Sequence, residues 1–148
     1  MMLSTLKATA KKLPEGLQVE TDSRGFKISL DEPEDLGGTN KAMNPMELVL
    51  CGLGACQSIV ASAFAEQQGI DLQDFWIELE GDFDPEGFLG ISDVRPGYSE
   101  IRFKMHIKSN SSEEDIKRFA DFIEKTCPVG DTLANTVKLV RTDVIIEK

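Results

Sequence analysis

A chain of 148 residues has the length of one domain and is long enough to bury a core of its own. Its formal charge of −10 argues against nucleic acid or an anionic membrane surface as partner, since both call for clustered Lys and Arg; a small neutral or apolar partner suits it better. Three cysteines are too few and too odd for a disulfide scaffold, and the start Met1 to Pro14 lacks the apolar run of a secretory signal, so the expectation is a cytoplasmic protein with reduced thiols.

In chain order, Leu3 to Leu13, Leu17 to Thr21 and Phe26 to Leu30 are predicted strands. Pro14-Glu15-Gly16 and Asp22-Ser23-Arg24-Gly25 separate them with hairpin composition. Phe26, Ile28 and Leu30 alternate with Lys27 and Ser29, the pattern of a sheet with one wet face. An irregular stretch from Asp31 to Met43 holds Pro33, Gly37 and Gly38. Asn44-Pro45 then opens a long apolar helix, Asn as N-cap and Pro at the first helical position, which Gly69 stops near Gln68. The eighteen residues from Leu48 to Ala65 carry no formal charge, the length of a membrane span. Gly52, Gly54, Gln57, Ser58 and Ser62 dilute that run and no basic cluster flanks it, so a core helix is expected instead.

Phe75 to Phe83 alternates as a strand, and the segment from Asp84 to Ser99, rich in Pro and Gly, reads as a loop or irregular hairpin. Ile101 to Lys108 forms another half-exposed strand. Ser111 with Glu114 makes a capping box for a helix whose inner face carries Ile116, Phe119, Phe122 and Ile123. Cys127-Pro128 breaks that helix, a short one follows from Pro128 to Thr136, and Leu139 to Ile146 closes as a strand. The order β-β-β-α-β-β-α-α-β is an α+β class.

A cysteine in an apolar helix is commonly a small core residue, and Cys51 and Cys56 both answer to that description. Five residues apart on one helix, they stand about 7.5 Å apart along its axis, beyond disulfide reach of about 6.8 Å between Cα atoms. A redox pair within this chain therefore has to use Cys127. If a helix begins at Pro128, Cys127 is its N-cap, where free N–H groups favour a thiolate; Glu124 and Asp131 act against this. The alternative is a helix break that happens to hold a small residue. A zinc site from the three cysteines and His106 lacks the short Cys-x-x-Cys knuckle, and His106 falls on the wet face of its strand, so neither metal nor cofactor is expected.

The stretch Gly37-Gly38-Thr39-Asn40-Lys41-Ala42-Met43-Asn44-Pro45-Met46-Glu47-Leu48, running into Gly54-Ala55-Cys56, resembles the signature of the OsmC/Ohr family of hydroperoxide-handling proteins. Thr126-Cys127-Pro128-Val129 resembles the family's second motif, a Cys-Pro at the close of the second long helix. The resemblance extends over essentially the whole chain as a single OsmC-like domain, residues 1–148. It implies an intertwined homodimer, with the central helices between sheets and the active site at the subunit interface. It also implies a cysteine-based, peroxiredoxin-like hydroperoxide reductase. Cys56 would attack an organic hydroperoxide, Cys127 would resolve the sulfenic acid as a disulfide, and a lipoyl-type dithiol would restore both thiols. Cys51 has no place in that pattern and is read as packing. Gly52, Gly54 and Ala55 would let another backbone approach Cys56 closely.

The chain departs from the characterised relatives at one point. They carry a Glu directly after the helix-starting Pro, paired with an Arg that activates the cysteine. Here that position is Met46, Glu47 follows one residue and about 100° later, and Leu36 falls near the place of the Arg. The pattern is similar to the general OsmC-like branch. Glu47, and Arg24 reaching from a hairpin turn of a partner subunit, are the candidate supporting residues. Two further readings stay open: a non-catalytic protein that binds a small hydrophobic or thiol ligand at the dimer interface, and cysteines that serve only to pack the core.

Overall fold

The computed structural model describes residues 2–148. The backbone divides into two compact units, one ending at Cys51 and one running from Gly52 to Lys148.

In the first unit, β1 (Thr9–Lys12), β2 (Val19–Ser23) and β3 (Phe26–Leu30) form an antiparallel sheet in that order. Ser23 pairs with Phe26, so Arg24-Gly25 is a two-residue turn. Both turn residues have positive φ, 55° and 89°, as a turn matched to the strand twist requires, and the Asp22 carboxylate accepts the Gly25 N–H at 2.9 Å. The alternation of β3 is present, but its apolar face is uncovered: Phe26 is 69% and Ile28 46% exposed, and only Leu30 is buried.

The stretch after β3 is organised around Asp31, which is 2% exposed. Its carboxylate accepts from the Thr39 hydroxyl at 2.5 Å and from the N–H groups of Glu32, Thr39 and Lys41 at 2.8, 3.2 and 3.1 Å. These bonds, the Thr39 hydroxyl first, hold its pKa down at about 2 against the opposing effect of burial. Gly38 is required here because a Cβ would collide with the Glu32 carbonyl.

Helix α1 (Pro45–Phe64) opens at the end of this unit and continues into the next. Among the described residues it is the one helix long and apolar enough, by length and composition, to cross a membrane. The helix ends at Phe64, earlier than the expected stop near Gln68, and a run of turns continues to Gly69, whose φ is 73°. In the second unit β4 (Leu72–Phe83) pairs antiparallel with β5 (Tyr98–Ser109). A short helix, α2 (Pro85–Leu89), lies in the segment expected to be irregular, with Asp84 capping it through the Glu86 N–H. Next come α3 (Glu113–Thr126) and α4 (Pro128–Ala134). The core joins Leu53, Val60 and Ala61 of α1 to Phe119, Ile123 and Cys127, with Phe75, Leu79 and Phe103 of the sheet packed against it. Gly54 is where α1 meets β4: a Cβ there would come within 2.8 Å of Leu79 Cδ1.

Two sequence expectations need correction. The N-cap of α3 is Ser112, which accepts the Asp115 N–H at 3.1 Å; Ser111 instead accepts the Asp71 N–H at 3.0 Å, tying the start of β4 to the α3 loop. Adjacent serines offer the same hydroxyl, and the helix starts one residue later than the capping pattern implied. Residues 139–146 form no strand, and Leu139, Ile145 and Ile146 lie exposed. Their β-branched composition is strand-like, but a strand needs a neighbour for its N–H and C=O groups, and among the described residues no strand pairs with them.

Candidate functional site

The short helix α4 is what places Cys127. Pro128 supplies a preset φ at the first helical position, leaving Cys127 as N-cap with extended geometry and its sulfur facing the first turn. The Gly130 N–H donates to Cys127 Sγ at 3.3 Å. A Cβ on Gly130 would stand 3.6 Å from that sulfur and 3.7 Å from Leu53 Cδ1, so α1 and α4 converge on one thiol. Cys127 is fully buried, at 0% exposure.

Cys56, half-buried on α1, packs against the core cluster that contains Cys127. Neither is in a disulfide. Burial pushes the Cys127 pKa up, and the neighbouring Cys56 thiol adds to the rise; the N–H groups of Gly130 and Val129 pull the other way and do not prevail. The contest at this N-cap, left open by the sequence, thus goes to desolvation over the helix terminus. Cys127 is held as a thiol, while Cys56 has the better access to a reactant. Cys51 is exposed, with its sulfur 3.8 Å from that of Met43.

Glu47 and Asn44 form a reciprocal capping box at the start of α1. The Glu47 carboxylate accepts the Asn44 N–H at 2.9 Å, and Asn44 Oδ1 accepts the Glu47 N–H at 2.8 Å. The sequence carries the signal for this box, a helix-capping Asn with Glu three residues on. The guanidinium of Arg24 sits over the ring of Phe26, 5.2 Å from its centre. Other arginines are also engaged: Arg102 bonds Glu80, Asp82 and Glu100 at 2.9, 2.7 and 2.5 Å, and Arg118 pairs with Asp115 at 3.4 Å. His106 lies on the outward face of the sheet as expected. Its Nε2 is 2.6 Å from a Glu78 carboxylate oxygen, and its ring stacks on Trp76 at 3.8 Å between centroids. That hydrogen bond holds the Glu78 pKa down.

Gln57, next to Cys56, escaped the sequence reading. It is 1% exposed, on the buried face of α1 with Leu53, Gly54, Val60 and Ala61, and its Oε1 has no hydrogen-bond partner. A polar residue inside an otherwise apolar helical stripe was the available signal; there it served only as an argument against a membrane span.

Residues 38–140 match the family described as OsmC-like protein, a span that includes both Cys56 and Cys127. A hydroperoxide reductase of Mycoplasma genitalium is 35% identical over 115 residues, covering 77% of each chain. A crystal structure of an OsmC-like protein from Mycoplasma pneumoniae superposes with a TM-score of 0.78 at 29% identity, over 90% of this chain and 89% of the other. An organic hydroperoxide resistance protein from Legionella pneumophila shares the fold, with a TM-score of 0.68 at 21% identity over 90% and 91% of the two chains.

Proposed function

This chain belongs to the OsmC-like family, whose members include hydroperoxide reductases, and from that premise we propose that it reduces organic hydroperoxides through its own thiols. The observation that carries this reading is that Cys56 packs against the core cluster holding the buried Cys127, itself the N-cap of α4. The Cys56 thiolate attacks the terminal oxygen of the hydroperoxide. The O–O bond breaks, an S–O bond forms, and the alkoxide leaves to take a proton from solvent. Cys127 then attacks the sulfenic sulfur, water leaves, and a Cys56–Cys127 disulfide remains. An external dithiol of lipoyl type returns both thiols by exchange, carrying away the two electrons' worth of oxidation. The apolar surround of Leu53, Leu79 and Phe119 suits an organic hydroperoxide better than hydrogen peroxide.

The whole chain is taken to work as one OsmC-like domain in a cytoplasmic homodimer. The uncovered face of β3, Ile59 on α1 at 68% exposure, and the unpaired apolar segment 139–146 support a second copy as their cover. Glu47 and Arg24 remain the candidate supporting residues, Arg24 from the partner subunit.

Intact mass with thiol counting, run under native and denaturing conditions after one equivalent of cumene hydroperoxide, tests the proposal. The expected result is a dimer that loses two thiols per chain to a Cys56–Cys127 linkage, restored by a dithiol. An unchanged thiol count would overturn the peroxidase reading. It would favour instead a protein that binds a small hydrophobic or thiol ligand, the reading to which Met46 in place of the family's Glu points.

A further inference from the structure

The chemistry proposed for Cys56 leaves one polar requirement unmet. When a thiolate attacks the terminal oxygen of a hydroperoxide, that oxygen carries its hydrogen with it, and the product sulfenic acid bears the same O–H. In an apolar surround this donor needs an acceptor both before and after the transfer, because burying a hydrogen-bonding group without a partner is unfavourable. The Glu47 carboxylate accepts the Asn44 N–H and the Ser58 hydroxyl donates to the Gly54 carbonyl at 2.8 Å, so each already has one partner. Gln57 Oε1 is buried and has no partner. One turn before it on the same face is Leu53, whose side chain packs at the Gly130–Cys127 corner, and Cys56, three residues after Leu53, borders that face and packs on the same core.

We propose that Gln57 Oε1 is the acceptor for the O–H of the transferred oxygen, first on the bound hydroperoxide and then on the Cys56 sulfenic acid. The inference rests on the peroxidase reading above and adds a residue to it. It accounts for an acceptor kept buried and unsatisfied in the resting protein, and it makes the site selective for peroxides that carry a free O–H. Cys127 then removes the oxygen as water, and Gln57 returns to its unpartnered state.

The test compares wild type with Gln57→Met, which keeps side-chain volume and removes the acceptor. Cys56 oxidation by cumene hydroperoxide is timed beside Cys56 modification by methyl methanethiosulfonate, which has no O–H. The expected result is a fall of about tenfold in the hydroperoxide rate, the equivalent of one hydrogen bond, with the thiosulfonate rate unchanged. Gln57→Asn, which keeps the amide but withdraws it by one methylene, should give the same selective loss and serves if the Met variant folds poorly. Equal hydroperoxide rates in wild type and both variants would overturn the assignment, as would a parallel fall in both reactions, which marks a merely structural residue. A wild type inert to hydroperoxide would instead remove the peroxidase reading itself, and it is seen without any variant.

Discussion

The two units bury polar groups on opposite terms. In the first, Asp31 brings a full charge into the interior and satisfies it completely, with a hydroxyl and three backbone N–H groups converging on one carboxylate. In the second, Gln57 brings an uncharged amide into the interior and leaves its oxygen without a partner, while Cys127 keeps its proton because burial outweighs the N–H groups aimed at it. A fully satisfied buried polar group fixes the path of the chain, here the stretch that leads into α1. An unsatisfied one is held in readiness by the packing around it, and such groups are where a reaction finds its donors and acceptors.

If the second unit's thiol corner is held by apolar packing, deleting the packing should do the most damage. Phe119 and Ile123 have no exposed surface, and Phe119→Ala is expected to cost about 3–5 kcal/mol in chemical denaturation. A loss under 1 kcal/mol would mean that the corner does not depend on this core, and the contrast between the units would fail. The Asp31 side is sharpened by pH. Its folded pKa of about 2 lies below the ordinary 3.8, so the carboxylate adds stability that is fully present above pH 3.8 and is lost as pH falls toward 2. Asp31→Asn should therefore be clearly less stable than wild type at pH 6, with the gap closing as the pH is lowered through that window. A gap that stays constant would assign the loss to packing rather than to charge.

Much of this arrangement was legible in the sequence, and the failures share a cause. Asn44-Pro45 and Cys127-Pro128 are local punctuation whose physics is complete within a few residues, so the start of α1 and the N-cap position of Cys127 followed directly. The inner face of α3 followed from the spacing of Ile116, Phe119, Phe122 and Ile123. The strand expected at 139–146 did not, because β-branched composition records a preference that only a paired neighbour can realise, and pairing is not local. The same holds for β3, whose apolar face exists but lacks a cover in this chain. At the site, the convergence of Leu53 and Gly130 on Cys127 depends on how α1 packs against α4, which no short motif encodes. Gln57 was visible as a polar residue within the apolar run, but its lack of a partner appears only when the neighbours are in place.

The smallest expected effect concerns Glu47, where a helix cap and a catalytic role make different demands on one carboxylate. A capping box needs an acceptor at the third helical position, and Gln provides one as Glu does. Activation of a thiol needs the negative charge, or the proton it can hold. Glu47→Gln keeps the bond to the Asn44 N–H and removes the charge, so stability should move by no more than about 0.5 kcal/mol, the usual range for an exposed position. The decisive reading is the pH profile of Cys56 oxidation by cumene hydroperoxide. With Glu47 acting as the cap alone, the profile of the variant overlays that of wild type. A profile displaced along the pH axis, at unchanged stability, would show that the carboxylate serves the thiol as well as the helix. The departure at Met46 would then be a relocation of the family's acidic residue by one position rather than its loss.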